Sequence, residues 1–215
     1  MVGNAGAEDS GEESVRRRPN ATIASELIEA TVKVIDNDGE VAVRVQDIVS
    51  TVGVPIPVLY RIFGNREGLI HAAQLERLSR ELKLEVQEFT KALATVNSAE
   101  EFRALVDASL ESLSFPQRRG QRWKRVNVLG STYGRPELAA AVARIHDDSM
   151  RSMATLLILP QRQGWLRDGL DLEAFVAWFA GLTTGRVLIE LGESTVDESA
   201  FDEMTVLAVR HVLFG

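Results

Sequence analysis

The sequence predicts an all-α protein of about nine helices, with an N-terminal three-helix head on a larger helical body. Three observations carry that expectation. Beyond residue 22, apolar residues recur mostly at spacings of three and four, the period of a helix with one buried face. Gly, Pro and capping residues fall where those stretches stop and start. No run alternates apolar and polar residues between hairpin turns, and no internal repeat is found.

The elements follow in order. Residues 1–18 lack apolar periodicity, are rich in Gly, Glu and Ser, and read as a disordered arm ending in Arg16-Arg17-Arg18. Those arginines form either a solvated tail or an arm that touches DNA phosphates or a minor groove. A first helix begins near residue 22 with Ile23, Leu27, Ala30, Thr31, Val34 and Ile35, and Gly39 stops it. Two short helices fit 44–52 and 56–63, broken by Gly53. Gly64-Asn65 is a turn, with Asn65 able to cap a long helix over 66–93. Ser98-Ala99-Glu100-Glu101 is a capping box opening a helix to about 114. Pro116 breaks the chain before a helix near 118–132, and Pro136-Glu137 suits the first turn of one running to about 159. Pro160 to Gly164 reads as a turn. Asp171 caps a strongly apolar helix to about 191, and the last helix spans about 198–213.

Composition bounds the function. A chain of 215 residues fits one large unit or a small module fused to a larger one. It contains no Cys, which rules out disulfides, thiolate metal sites and a Cys nucleophile. His71, His146 and His211 are too far apart for closely spaced zinc ligands, so no metal is expected. No run approaches the ~18 apolar residues of a membrane span. The acidic, Gly-rich N-terminus lacks the apolar region of a secretory signal, so a soluble cytoplasmic protein without membrane partners is expected. The net charge of -7 is unevenly spread. Glu8, Asp9, Glu12 and Glu13 lie in residues 1–14, whereas residues 15–70 balance their acidic and basic groups. The first compact segment is therefore the least acidic part, though not strongly basic.

The helix, Gly53 turn and helix inside a three-helix unit form a helix-turn-helix. In that motif the first helix of the pair braces against the DNA backbone, and the second presents its N-terminal residues to base edges in the major groove. Ile48, Val52, Val54, Leu59 and Phe63 are the inner residues that hold the angle.

The stretch from Ile23 to Ala73 resembles the DNA-binding region of the tetracycline-repressor (TetR) family. The residues that carry the likeness are Ile48, Gly53-Val54, Leu59-Tyr60, Phe63 and Asn65-Arg66-Glu67-Gly68-Leu69. They cover about a quarter of the chain and are specific as a combination. Some positions depart from the family pattern: Val49 replaces a small residue, Pro55 a Ser cap, and Arg66 the usual Lys. Ile56, Pro57 and Val58 replace polar residues in the first turn of the recognition helix. These can touch thymine methyl groups but cannot hydrogen-bond bases. The other expected DNA contacts are Arg44, Tyr60, Arg61 and Arg66, the last at a helix N-terminus that favours phosphate.

The resemblance implies a homodimer reading a near-palindromic double-stranded DNA operator, with residues 19–65 as the DNA-binding domain and 66–215 as the effector and dimerisation domain. In the last two helices, Phe175, Trp178, Phe179, Leu182, Val206, Val209 and Leu213, with Leu188, Ile189 and Leu207, are too many apolar positions for a solvated face. They serve either a dimer interface or the core alone. The middle helices of such proteins enclose a ligand cavity, for which Phe102, Trp123, Tyr133, His146, Met150 and Met153 are candidates, with plain core packing the alternative. The leading expectation is a repressor released from its operator by a small-molecule effector, with the helix over 66–93 as the lever. The alternative is a helical small-molecule or protein-binding module that reads DNA weakly or not at all. An enzyme is not expected, nor a cofactor: there is no Gly-rich phosphate loop, nucleophile elbow or metal motif.

Overall fold

The computed structural model describes residues 18–192 and 195–215, within which the chain forms nine α-helices and no strand. They are α1 (Asn20–Asp38), α2 (Val45–Val52), α3 (Ile56–Phe63), α4 (Arg66–Leu93), α5 (Ala99–Glu111), α6 (Pro116–Ser131), α7 (Pro136–Arg162), α8 (Leu172–Gly185) and α9 (Glu198–Phe214). Short 3-10 turns occupy Glu40–Ala42, Ser112–Ser114 and Arg186–Ile189. By internal contacts the chain divides into two compact units, one ending at Arg77 and the other spanning Leu78–Gly215.

The first unit is closed by the apolar faces of α1 to α3 and the start of α4. Ile23, Leu27, Ile35, Ile48, Leu59, Leu69 and Ile70 form one buried cluster. Contacts extend this unit past the start of α4 because Leu69, Ile70 and Ala73 belong to that cluster, and because Arg77 pairs with Asp36 at 2.8 Å. The fully buried Gln74 completes the brace, donating to Glu40 at 3.0 Å and accepting from Arg77 at 2.6 Å. Gly53 ends α2 with φ 70, a left-handed conformation that costs glycine nothing. Arg16 and Arg17 of the expected arm lie outside the described residues. Arg18 does not trail away from the head. Its guanidinium pairs with Glu26 at 2.8 Å and reaches the Val52 and Gly53 carbonyls at 3.4 and 3.3 Å, where the C-terminal end of α2 attracts a cation.

The second unit packs α5, α7, α8 and α9 around Phe102, which is fully buried. Trp165 lies 6.0 Å from its ring and Phe214 meets it edge-on at 6.4 Å. Helix starts are capped as the sequence predicts: Ser98 accepts from the Glu101 amide at 3.1 Å and Asp171 from the Ala174 amide at 3.0 Å. Two boundaries differ from expectation. Pro160 is not a turn residue but lies inside α7, which runs to Arg162. It sits in the final turn, where it forgoes one intrahelical bond and is buried. The helix expected to reach about 191 ends at Gly185 and tightens into the Arg186–Ile189 turn. That turn places the buried Arg186 against the Glu190, Glu198 and Asp202 carboxylates, a set a continuing helix would not gather.

The segment Leu172–Ile189 is long and apolar enough by composition to cross a membrane, a property it shares with core helices. It carries Glu173 and Arg186.

Candidate nucleic-acid interface and ligand cavity

Helix α3 divides its residues between two faces. Leu59 is fully buried, and Ile56, Val58, Ile62 and Phe63 pack against the head core. The outer face, at spacings of three and four, is Pro57, Tyr60 and Arg61, all exposed. Ile56 and Val58 were expected to reach bases together with Pro57. Instead they are half-buried, because the short helix has too few residues to spare two apolar side chains from the core. Pro57 alone of the three faces outward. Arg44, the residue preceding α2, is exposed. Arg61 donates to the Asn20 side chain at 3.1 Å.

Arg66 is placed differently from the phosphate contact expected of it. It donates to the Val43 carbonyl at 2.9 Å, to the Glu40 carbonyl at 2.9 Å and to Glu67 at 3.1 Å. The guanidinium thus satisfies carbonyls of the turn that leads into α2. Asn65 caps α4 by accepting from the Gly68 amide at 2.8 Å. Gly68 is required there by close approach: a Cβ on it would stand 2.0 Å from the Phe63 carbonyl oxygen.

The second unit contains a half-open cavity of about 440 Å³, within the usual range for small-molecule sites. Phe102, His146, Met150 and Met153 line it. Trp123 and Tyr133 do not: both are exposed, Tyr133 by 95 %, on α6 and the loop after it. The expectation treated all aromatics of the middle helices alike, but the face of α6 that meets the cavity is the arginine face. Arg118, Gln121, Arg122 and Arg125 recur on it at helical spacing. Arg125 is buried and bonds Glu81 at 2.9 Å and Glu85 at 2.7 Å. Burial lifts the Glu81 carboxyl above its ordinary pKa against the pull of Arg125. Burial, then the charge of Arg125, holds His146 below the usual imidazole value. Arg122 bonds the Leu113 carbonyl at 2.7 Å and the buried Glu190, which Arg186 also engages. From the sequence, Arg118, Arg119, Arg122, Lys124 and Arg125 read as a solvated face or as partners of acidic neighbours, with contact to an anionic ligand as the lesser reading; Arg118, Arg122 and Arg125 pair with carboxylates.

Residues 27–73 match the tetR family of bacterial regulatory proteins. That segment is the TetR-family DNA-binding segment. No curated protein matches it in sequence. Solved structures with the same fold include a protein from Mesorhizobium loti assigned to the TetR-family transcriptional regulators, 14 % identical, with a TM-score of 0.69 over 93 % of this chain and all of that one. A transcriptional regulator from Saccharomonospora viridis, solved with choline, is 19 % identical, with a TM-score of 0.63 over 91 % of this chain and 99 % of that one. The fatty acid degradation regulator FadR from Bacillus halodurans is 17 % identical, with a TM-score of 0.56 over 87 % and 94 %.

The last two helices each bury one face and expose another. Phe175, Val209 and Leu213, expected at a dimer interface, are buried within the unit, and Phe179, Leu182 and Val206 are half-buried against the same core. The exposed apolar residues lie one step round each helix. On α8 they are Ala174, Ala177 and Trp178, with Gly181 beside them. On α9 they are Met204 and Leu207, the latter 62 % exposed, and Leu188 stands out from the turn between. Of the seven expected interface residues only Trp178 is on this face. The apolar residues of these helices fall on a buried and an exposed face, and periodicity alone does not say which face a chain buries by itself.

Proposed function

We propose that this protein is a dimeric, non-enzymatic regulator of transcription that acts in the cytoplasm. In this reading it reads a near-palindromic operator through α3 and leaves it when a small molecule enters the cavity, as a repressor does. The observation that carries the reading is the outer face of α3. Tyr60 and Arg61 stand exposed at the helical spacing of a surface that meets a groove, with Arg44 exposed at the head of α2. Tyr60 can give its hydroxyl, and the arginines their N–H groups, to phosphate oxygens. Residues 19–65 then serve as the DNA-binding domain and 66–215 as the effector and dimerisation domain. The exposed stripe on α8 and α9 supports a second copy of the chain packing there as a four-helix bundle. The cavity, and the choline held by the similar protein from Saccharomonospora viridis, support a small-molecule effector.

A second reading, a binding module with weak DNA reading, draws on one observation. The first turn of α3 exposes only Pro57, which has no hydrogen-bond donor to offer a base. A salt series of binding to the DNA flanking its own gene, against scrambled competitor, separates the two. Tight binding to one short palindrome that falls steeply with salt, and weakens in Tyr60→Ala, supports the regulator. Equal binding to scrambled and genomic DNA, in a selection from the whole genome, supports the module.

A further inference from the structure

We propose that Pro57 is a specificity-determining residue that selects DNA by the C5-methyl group of a thymine in each half-site. This rests on the reading of α3 as the helix that enters the major groove, and it adds what the first turn of that helix recognises.

The tip of α3 has almost nothing to hydrogen-bond with. Residues 54–58 read Val-Pro-Ile-Pro-Val, without one polar side chain. The first four N–H groups of a helix have no intrahelical partner and ordinarily serve phosphates or capping groups. Here Pro55 and Pro57 delete two of the four, and the Val58 amide is spent on the Pro55 carbonyl at 3.0 Å. Only Ile56 keeps an N–H to offer. The apolar side chains around it turn inward: Val54 is buried, and Ile56 and Val58 pack against the head core. The tip therefore presents the pyrrolidine rings of Pro55 and Pro57, both exposed. Pro55 precedes the helix, whereas Pro57 stands three and four residues before Tyr60 and Arg61, on the face those two share. All of these residues lie within the segment that matches the tetR family, which independently points to DNA as what this face meets.

Such a surface can tell bases apart in one way. Along the major groove the base edges carry hydrogen-bond donors and acceptors, and the apolar group that projects among them is the C5-methyl of thymine. A pyrrolidine ring laid over a guanine, adenine or cytosine edge takes water from a polar atom and returns no partner, which is costly. Laid over a methyl group, the ring buries apolar surface on both sides. The tip thus selects by rejection as well as by contact. Tyr60, Arg61 and Arg44, which carry the polar atoms of this face, hold the register on phosphates.

The test starts from the sequence that a selection of bound genomic fragments recovers with the full chain. Each half-site thymine is replaced in turn, symmetrically in both half-sites, by deoxyuridine, which deletes only the C5-methyl. Burying one methyl corresponds to about fourfold in affinity, and the symmetric pair to about fifteenfold. At one thymine position the paired replacement is expected to weaken binding about fifteenfold in fluorescence anisotropy. With a C·G pair placed at that position, methylating the cytosine at C5 is expected to tighten binding by a similar factor. Pro57→Ala, with helicity checked by circular dichroism, is expected to shrink the deoxyuridine penalty below about threefold, because the ring atoms that meet the methyl are gone. Pro57→Ser takes its place should the alanine variant misfold. A penalty below about twofold at every thymine, a methylated cytosine no better than cytosine, or an undiminished penalty in a folded Pro57 variant overturns the assignment and leaves α3 as the reading helix. A selection that recovers no preferred sequence overturns both.

Discussion

Replacing Gly68 with Ala sets two opposed effects against each other at one atom. In a helix interior Ala is favoured over Gly by about 1 kcal/mol. At this position, however, the new Cβ would stand 2.0 Å from the Phe63 carbonyl oxygen and 3.1 Å from its carbon. A relaxed carbon–oxygen contact is about 3.3 Å, so the two groups must separate by more than ~1 Å. Neither is a flexible side chain. Phe63 is followed by Gly64 at φ 77, and the Gly68 amide is tied to the Asn65 side chain at 2.8 Å. Overpacking costs about 1–3 kcal/mol, and a forced separation of more than ~1 Å against backbone falls in the upper part of that range, about 2–3 kcal/mol, which exceeds the helix gain. The expected net loss is about 1–2 kcal/mol in urea unfolding followed by circular dichroism. Gly120→Ala is the control. It lies in α6, is exposed, and its Cβ would meet nothing within 4 Å, so a gain of up to about 1 kcal/mol is expected. A Gly68→Ala protein as stable as the parent, or stabilised like Gly120→Ala, would refute the packing argument for the α3–α4 turn.

Three further outcomes are expected. Arg66→Ala should lose about 1–2 kcal/mol of stability, because it removes the donor to the Val43 carbonyl and one of two donors to the Glu40 carbonyl, which keeps the Val43 amide; an unchanged melting temperature would return Arg66 to a purely DNA-facing role. Leu207→Glu puts a charge on the exposed apolar stripe of α9 and should convert dimer to monomer in sedimentation with helicity retained, whereas a dimer of parental strength would place the interface elsewhere. His146 has its pKa depressed by burial and then by Arg125, so the folded state prefers the neutral ring. Its contribution is present above about pH 6.5 and is lost as the pH falls towards the depressed value. His146→Gln should therefore flatten the decline in melting temperature on the acid side of about pH 6.5, and an identical pH profile for the two proteins would contradict the assignment.

The helical architecture was legible because every helix carries its own apolar stripe and most carry a cap. Ser98 and Asp171 announce starts that the structure reproduces. The head was legible in finer detail, since Gly53, Leu59 and Phe63 have one geometry that satisfies them together. What stayed hidden depends on distant partners. Arg66 reads as a surface cation until Glu40 and Val43 fold back onto it. That Arg122 and Arg125 pair with acidic groups was one reading of the sequence, but which ones was hidden until Glu190 and Glu85, remote in sequence, folded onto them. The apolar surplus of α8 and α9 was visible, but the phase of the exposed stripe was not. A helix apolar on most of its circumference has no unique inward direction until its neighbours are placed.

The buried trio of Arg122, Glu190 and Arg186 constrains how the sequence can drift. One carboxylate oxygen serves two guanidiniums, and none of the three residues reaches solvent freely. Losing Glu190 alone strands Arg122, which has no other carboxylate bonded to it among the described residues, while Arg186 keeps Glu198 and Asp202; losing either arginine leaves the other to carry a carboxylate whose second oxygen already lacks a partner. Breaking such a group singly costs about 3–5 kcal/mol, while exchanging the whole set for apolar residues of matched volume is close to neutral. Positions 122, 186 and 190 therefore form an epistatic unit. In a lineage carrying this fold they are expected to change together through a valley of unstable intermediates, and a double-mutant cycle across any two of them should be strongly non-additive.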